Sequence, residues 1–321
     1  MVQVFNKYKF YLLFVGFVLL LWILNVDFES IDLRISGIMA FASFVAGGSS
    51  EGGGAFAFVP MTLWLKVHPV VAKFFSLMIQ SVGMTAASIY IFCSKRVQLD
   101  INCIFRISIG GLLGALVCIF VLQGVFNAKQ LKVFFVSLFL AFAIIISIFK
   151  LQNVRLVASV DKWDDYLILP AIGFVGGVVS NWIGNGIDII CYIVLVLYYR
   201  MDIRTATSMS IVLMAIQSVI SFACFLMLGN LPEEVIGMWM SAVPIVVFGA
   251  PFGAYFVTRV SNELIASFLK FVIVLQFIAV YVVLDFSLSL YLLSVGTIVG
   301  ALFLFFALYI VSPFRMKKAK F

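Results

Sequence analysis

Apolar runs of about twenty residues follow one another along nearly the whole chain, separated by short polar or basic loops. That is the length an α-helix needs to cross a hydrocarbon core of ~30 Å. The pattern predicts an all-α integral membrane protein. A membrane β-barrel would show short alternating strands instead, and no such alternation occurs. Composition agrees: 64% of residues are hydrophobic and 11% charged, against about half and a quarter in soluble domains.

The net charge of +7 does not point to nucleic acid. The basic residues lie between the apolar runs, where they act as topology signals. Cys93, Cys103, Cys118, Cys191 and Cys224 lie in or beside apolar segments without CxxC or Cys/His spacing, so they read as small buried side chains. No cofactor or metal is expected. The basic, apolar N-terminus lacks a small-x-small cleavage site and reads as an uncleaved first span.

Single spans are expected at 10–25, 70–93, 101–122, 130–149, 205–228, 235–257, 264–284 and 288–311. Two stretches, 34–65 and 167–199, are longer than thirty residues. A straight helix of that length would measure ~48 Å, too long for the hydrocarbon core. Each has a glycine-rich interruption: "GGSSEGGG" (47–54) in one and "GNGID" (184–188) in the other. Each stretch is therefore either a broken crossing helix or a re-entrant hairpin. Lysine and arginine placement separates the two, because cytoplasmic loops carry their excess. With two hairpins and a cytoplasmic N-terminus, only Arg34, Lys66, Lys73, Lys129 and Lys132 fall outside, and the other sixteen of the 21 basic residues fall inside. With two crossing helices the split is ten to eleven, which is no bias. The hairpin reading places both termini in the cytoplasm, with the cell membrane as the expected location.

A duplication is visible. "MIQSV" (78–82) and "AIQSV" (215–219) lie 137 residues apart, and "GGLLGA" (110–115) and "GAPFGA" (249–254) lie 139 apart. Two matches in one order at nearly one offset indicate a repeat. The expected organisation is an N-terminal span (1–33), repeat 1 (34–149), a cytoplasmic linker (150–166), repeat 2 (167–284), and a last span with a basic tail (285–321). Each repeat holds one hairpin and three spans. An odd number of spans inverts the second repeat relative to the first, a recurring transporter plan. The paired glycines at 110/114 and 249/253 read as packing positions.

Non-helical backbone at membrane depth must be satisfied by protein or water. At each tip a second arm begins, with free N–H groups and a positive dipole end, so the tips read as an anion site. The candidate substrate residues are Ser49, Ser50, Gly52, Gly53, Gly54, Gln80, Ser81, Asn181, Gly184, Asn185, Gly186, Gln217 and Ser218. Glu51 and Asp188, one acid per tip, are candidate coupling residues, because ionisable groups at this depth mark ion or proton pathways. The alternative for each acid is a carboxylate that caps its own helix. His68, the only histidine, reads as part of the turn at Pro69, and Lys66 and Lys73 as interfacial snorkelling side chains. "GSSEG" (48–52) formally matches the G-x-S-x-G hydrolase elbow but lacks its strand-turn-helix context. An intramembrane serine hydrolase and an anion channel are the rival functional classes.

"GGSSEGGGAFAFVPMTL" (47–63) followed by "HPVVAK", and "GGVVSNWIGNGIDI" (176–189) followed by "RTATSMSIVLMAIQSV" (204–219), resemble the TauE/SafE sulfite exporter family of sulfonate-permease-like membrane transporters. The resemblance covers roughly residues 35–285. It implies a non-enzymatic secondary transporter of two inverted repeats, associated with sulfite, sulfoacetate and other organosulfonates. It also implies that Gly52, Gly53, Gly54, Gly184 and Gly186 lie in the substrate region. Pro60 falls one position later than the family often has it, and the second tip reads "GNGID" instead of a glycine run. The expected partners are a small sulfur-containing anion and the lipid bilayer; a homo-oligomer is compatible with the sequence.

Overall fold

The computed structural model describes residues 2–28, 31–50, 56–57, 60–62, 64–122, 128–149, 164–229 and 231–312. Among the described residues there are eleven helices: α1 (Val2–Asn25), α2 (Leu33–Gly48), α3 (Pro69–Ser94), α4 (Ile101–Phe120), α5 (Ala128–Ile148), α6 (Asp165–Ile183), α7 (Ile187–Leu197), α8 (Ile203–Met227), α9 (Glu233–Val257), α10 (Asn262–Val283) and α11 (Leu288–Val311). Nine of these are long and apolar enough to cross a membrane; α2 and α7 are shorter. Eight of the nine are the single spans expected from the sequence. The ninth is α6, the first arm of the second interrupted stretch, whose 19 residues measure ~28 Å. Polar residues set several helix starts: Asp100 accepts from Cys103 N, Asp202 from Thr205 N and Ser261 from Leu264 N, each satisfying an N–H left open at a helix start.

Helix directions show that both interrupted stretches turn back. Gly47 lies against Ala250 and Gly48 against Gly253, so α2 runs parallel to α9. Trp239 Nε1 donates to Met78 O, and Gly83 packs on Val246, so α3 also runs parallel to α9. Consecutive helices α2 and α3 thus point the same way, and the chain between them must return to the end from which α2 began. In the second stretch the return is seen directly. A Cβ on Gly176 would lie 2.7–3.1 Å from Ile187 atoms, which places the start of α7 beside the last turns of α6. Tyr199 Oη, just past α7, donates to Asp165 Oδ1 at the start of α6 across 2.8 Å, closing the base of this hairpin.

The pairings are reciprocal. α6, the first arm of the second hairpin, packs on α4, while α2, the first arm of the first hairpin, packs on α9; α3 faces α8, and α5 faces α10. Glycines bring the paired backbones together. A Cβ on Gly110 would lie 1.9 Å from Pro170 O, on Gly114 2.1 Å from Phe174 O, on Gly173 1.9 Å from Ile107 O and on Gly177 2.2 Å from Gly111 O. On the other side, Gly47 meets Ala250 O at 1.8 Å and Gly253 meets Phe44 O at 2.2 Å. Such approaches tolerate no side chain, which is how helices without a hydrophobic drive between them gain contact in a bilayer. The glycine pairs at 110/114 and 249/253 therefore pack helices. The centre of this arrangement is α3, 89% of whose spanning window is buried; α1 and α11, at 6% and 17%, lie outside it.

Gly114→Ala should destabilise the fold by about 1–3 kcal/mol through backbone overpacking. Gly296→Ala, on a residue whose Cβ would meet nothing within 4 Å, should stay within about 0.5 kcal/mol of the parent. Thermal unfolding midpoints of the two variants in one detergent check both.

Candidate functional site

The second tip is built by two left-handed glycines. Gly184 has φ 93° and Gly186 φ 153°, a region that costs glycine little and other residues much. Gly184 N donates back to Ser180 O at 2.9 Å, ending α6. Ser180 Oγ accepts from Ile187 N at 2.8 Å and so joins the two arms across the break.

The carbonyl of Gly184 points away from both helices and needs partners from elsewhere. It accepts from Ser76 Oγ at 2.9 Å and from Gln80 Nε2 at 3.0 Å. Ser76 and Gln80 lie one turn apart on α3, and Gln80 Nε2 also reaches Ser76 Oγ at 2.6 Å. Both side chains are almost fully buried, at 2% exposure. On its other side Gln80 lines a void of about 10 Å³ together with Ser43 and Ala46 from the last turns of α2. One glutamine therefore touches both the second tip and the helix that leads into the first.

Gln217, the counterpart of Gln80 in the duplicated motif, sits at the other edge of the same tip. Its Oε1 and Ile187 Cδ1 both lie within 2.8 Å of where a Cβ on Gly111 would be, and its Nε2 donates to Ser221 Oγ at 3.3 Å. Asn181 and Asn185 are buried beside the break. Asp188 is fully buried in the first turn of α7, where its Oδ1 accepts from Ile189 N at 3.0 Å. Ser49 and Ser50 are buried at the end of α2; Ser49 Oγ donates to Val45 O, and Ser50 Oγ has no partner. Ser81 and Ser218 turn to their own helices, donating to Met78 O and Ala215 O. Glu51, Gly52, Gly53 and Gly54 lie outside the described residues. His68 is exposed and caps α3 with Nδ1, as a turn residue would.

The amide nitrogens of Gln80 and Asn181 each donate to a backbone carbonyl, at Gly184 and Gly177. Their oxygens, Gln80 Oε1 and Asn181 Oδ1, are buried without partners. The α7 donors at Ile187 and Ile189 are taken by Ser180 and Asp188. The tip therefore leaves buried acceptor oxygens open beside the second N–H of the Asn181 amide. An anion needs donors from nearby, and Lys73 is the nearest cation on the same helix. The Lys73 carbonyl is 2.9 Å from the Cβ position of Gly184, one turn before Ser76. Its ammonium lies 4.6 Å from the Phe74 ring centre and 5.7 Å from that of Phe225. Among the described residues the one ion pair is Arg34–Asp32, so no described carboxylate pairs with Lys73.

Sequence reasoning missed Ser76, Ser180 and the position of Lys73. The signal for Ser76 was its place four residues before Gln80, on the same helix face. Replacing both Ser76 by Ala and Gln80 by Leu should leave the Gly184 carbonyl unpartnered, at about 1–3 kcal/mol. Amide hydrogen exchange over 183–187 should then rise, whereas Ser81→Ala and Ser218→Ala should leave it unchanged.

Comparison with curated proteins and with solved structures gave no match. The description of one protein family, sulfite exporter TauE/SafE, matches residues 35–282, which takes in both hairpins and the three spans after each. The chain belongs to the sulfite exporter TauE/SafE family.

Proposed function

We propose that this protein is a secondary active transporter that moves a small sulfur-containing anion, sulfite or an organosulfonate such as sulfoacetate, coupled to protons. The observation that carries this reading is the meeting of two interrupted hairpins at one buried glutamine, Gln80, in a chain of this family. Half-helices that break near the middle of the fold, each packed on the opposite unit, suit a carrier that alternates between two faces. On this reading units 34–149 and 167–284 are inverted copies, and both termini are cytoplasmic.

The roles divide by polarity. Lys73 attracts the anion and supplies a charged donor, with Ser50 and the glycines at 52–54 completing the contact. Glu51 and Asp188 carry the coupling proton, and the open oxygens of Gln80 and Asn181 favour a protonated neighbour there.

Uptake into proteoliposomes with a panel of sulfur oxyanions, with and without an imposed pH gradient, tests this function. Saturable uptake that accelerates with an inward proton gradient is expected; equal flux without any gradient dependence would remove proton coupling. Lys73→Met should raise KM about tenfold, as expected for a lost charge-assisted hydrogen bond, and Lys73→Arg should retain most of the affinity. Glu51→Gln should abolish the gradient response. A Glu51→Gln protein with the parental pH dependence would exclude Glu51 as the coupling group.

A further inference from the structure

α1 lies outside the residues matched by the family description, and its spanning window is 6% buried. One stripe of it turns inward: Tyr8, Tyr11, Val15, Val18 and Trp22 recur at helical spacing and pack on the core. Near the start of this stripe Tyr8 stacks on Tyr90 of α3, with ring centres 5.6 Å apart. Two further members donate to the backbone of α9: Trp22 Nε1 to Met240 O at 2.7 Å, and Tyr11 Oη to Val247 O at 3.4 Å.

These two carbonyls share one property. α9 has two internal prolines, Pro244 and Pro251. A proline has no N–H, so the carbonyl four residues before it loses its helical partner. Four before Pro244 is Met240, and four before Pro251 is Val247. The donors of α1 therefore stand in for the two N–H groups that α9 lacks. An unpartnered carbonyl is costly in hydrocarbon, and an indole or phenol needs an acceptor there, so each satisfies the other. The turn at Pro244 is also held from α2. Ser36 Oγ donates to Ser241 O at 2.6 Å, and Asp32 N donates to Ser241 Oγ at 2.9 Å.

Proline also marks where a helix bends. α9 is the helix on which the first hairpin rests: Gly47 meets Ala250, next to Pro251, and Gly253 meets Phe44. A bend at either proline would move α2 and the tip it leads to. We propose that α1 is a strap over a two-proline hinge in α9. Trp22 and Tyr11 latch the hinge in the conformation observed, and their release lets α9 carry the first hairpin between transport states. The transport role rests on the carrier reading; the latch does not.

The test is a pair of double-mutant cycles on the full-length protein, Trp22→Phe with Pro244→Ala and Tyr11→Phe with Pro251→Ala. In the parent, Trp22→Phe should lower the thermal unfolding midpoint by roughly 2–4 °C, the effect of one lost hydrogen bond. With Pro244→Ala a restored N–H takes the Met240 carbonyl, and the same substitution should then shift the midpoint by less than about 1 °C. The Tyr11 cycle should show the same coupling at smaller amplitude, because its bond is longer. In proteoliposomes, Trp22→Phe should raise the maximal uptake rate of sulfite or sulfoacetate up to about fivefold at unchanged KM. Pro244→Ala should lower that rate and cancel the effect of Trp22→Phe. A merely structural contact would lower the midpoint without raising the rate. Equal midpoint shifts in both backgrounds of both cycles would overturn the latch, and parental uptake rates in Trp22→Phe and Pro244→Ala would overturn the hinge. Absence of uptake by the parent would remove the carrier reading, while the midpoints still decide the latch.

Discussion

A helix that breaks inside the hydrocarbon layer leaves backbone groups that water cannot reach, and the rest of this structure is arranged around that constraint. At the second break the exposed carbonyl is that of Gly184, and Ser76 and Gln80 of α3 clasp it from more than a hundred positions earlier in the chain. On the helix side, Ser180 takes the Ile187 N–H and Asp188 takes that of Ile189. Every one of these partners is a neutral or short polar side chain held in an almost dry interior. A lost partner cannot be replaced by solvent, so the break is tolerated only while the helices around it hold their positions.

Those helices are positioned by glycine. The backbones of α4 and α6 meet through Gly110, Gly114, Gly173 and Gly177, and those of α2 and α9 through Gly47 and Gly253. The first arm of each hairpin thus packs on a span distant in the chain, α2 on α9 and α6 on α4.

Much of this was legible in the residues. The excess length of 34–65 and 167–199, their glycine clusters and the placement of basic residues pointed to hairpins, and the parallel run of α2 and α3 agrees with them. The G-x-x-x-G pairs read as packing positions, because no polar chemistry accompanies them. The direction of the amide groups was not legible. Whether Gln80 offers a donor or an acceptor depends on which carbonyl it meets, and Gly184 is brought there only by the tertiary fold. Lys73 looked interfacial because it follows the turn at Pro69, at the expected outer boundary; the closeness of its backbone to the second tip comes from α3 crossing that tip.

The central claim is that the two interruptions form one enclosed site that holds the transported anion. Single cysteines placed at 52 and 185 in a cysteine-free background, probed with membrane-impermeant maleimide from each side, measure this most directly. Sulfite or sulfoacetate should protect both positions together, at the same concentration, and from whichever side they are open. Protection of one position without the other, or labelling of both that no anion slows, would contradict a shared site.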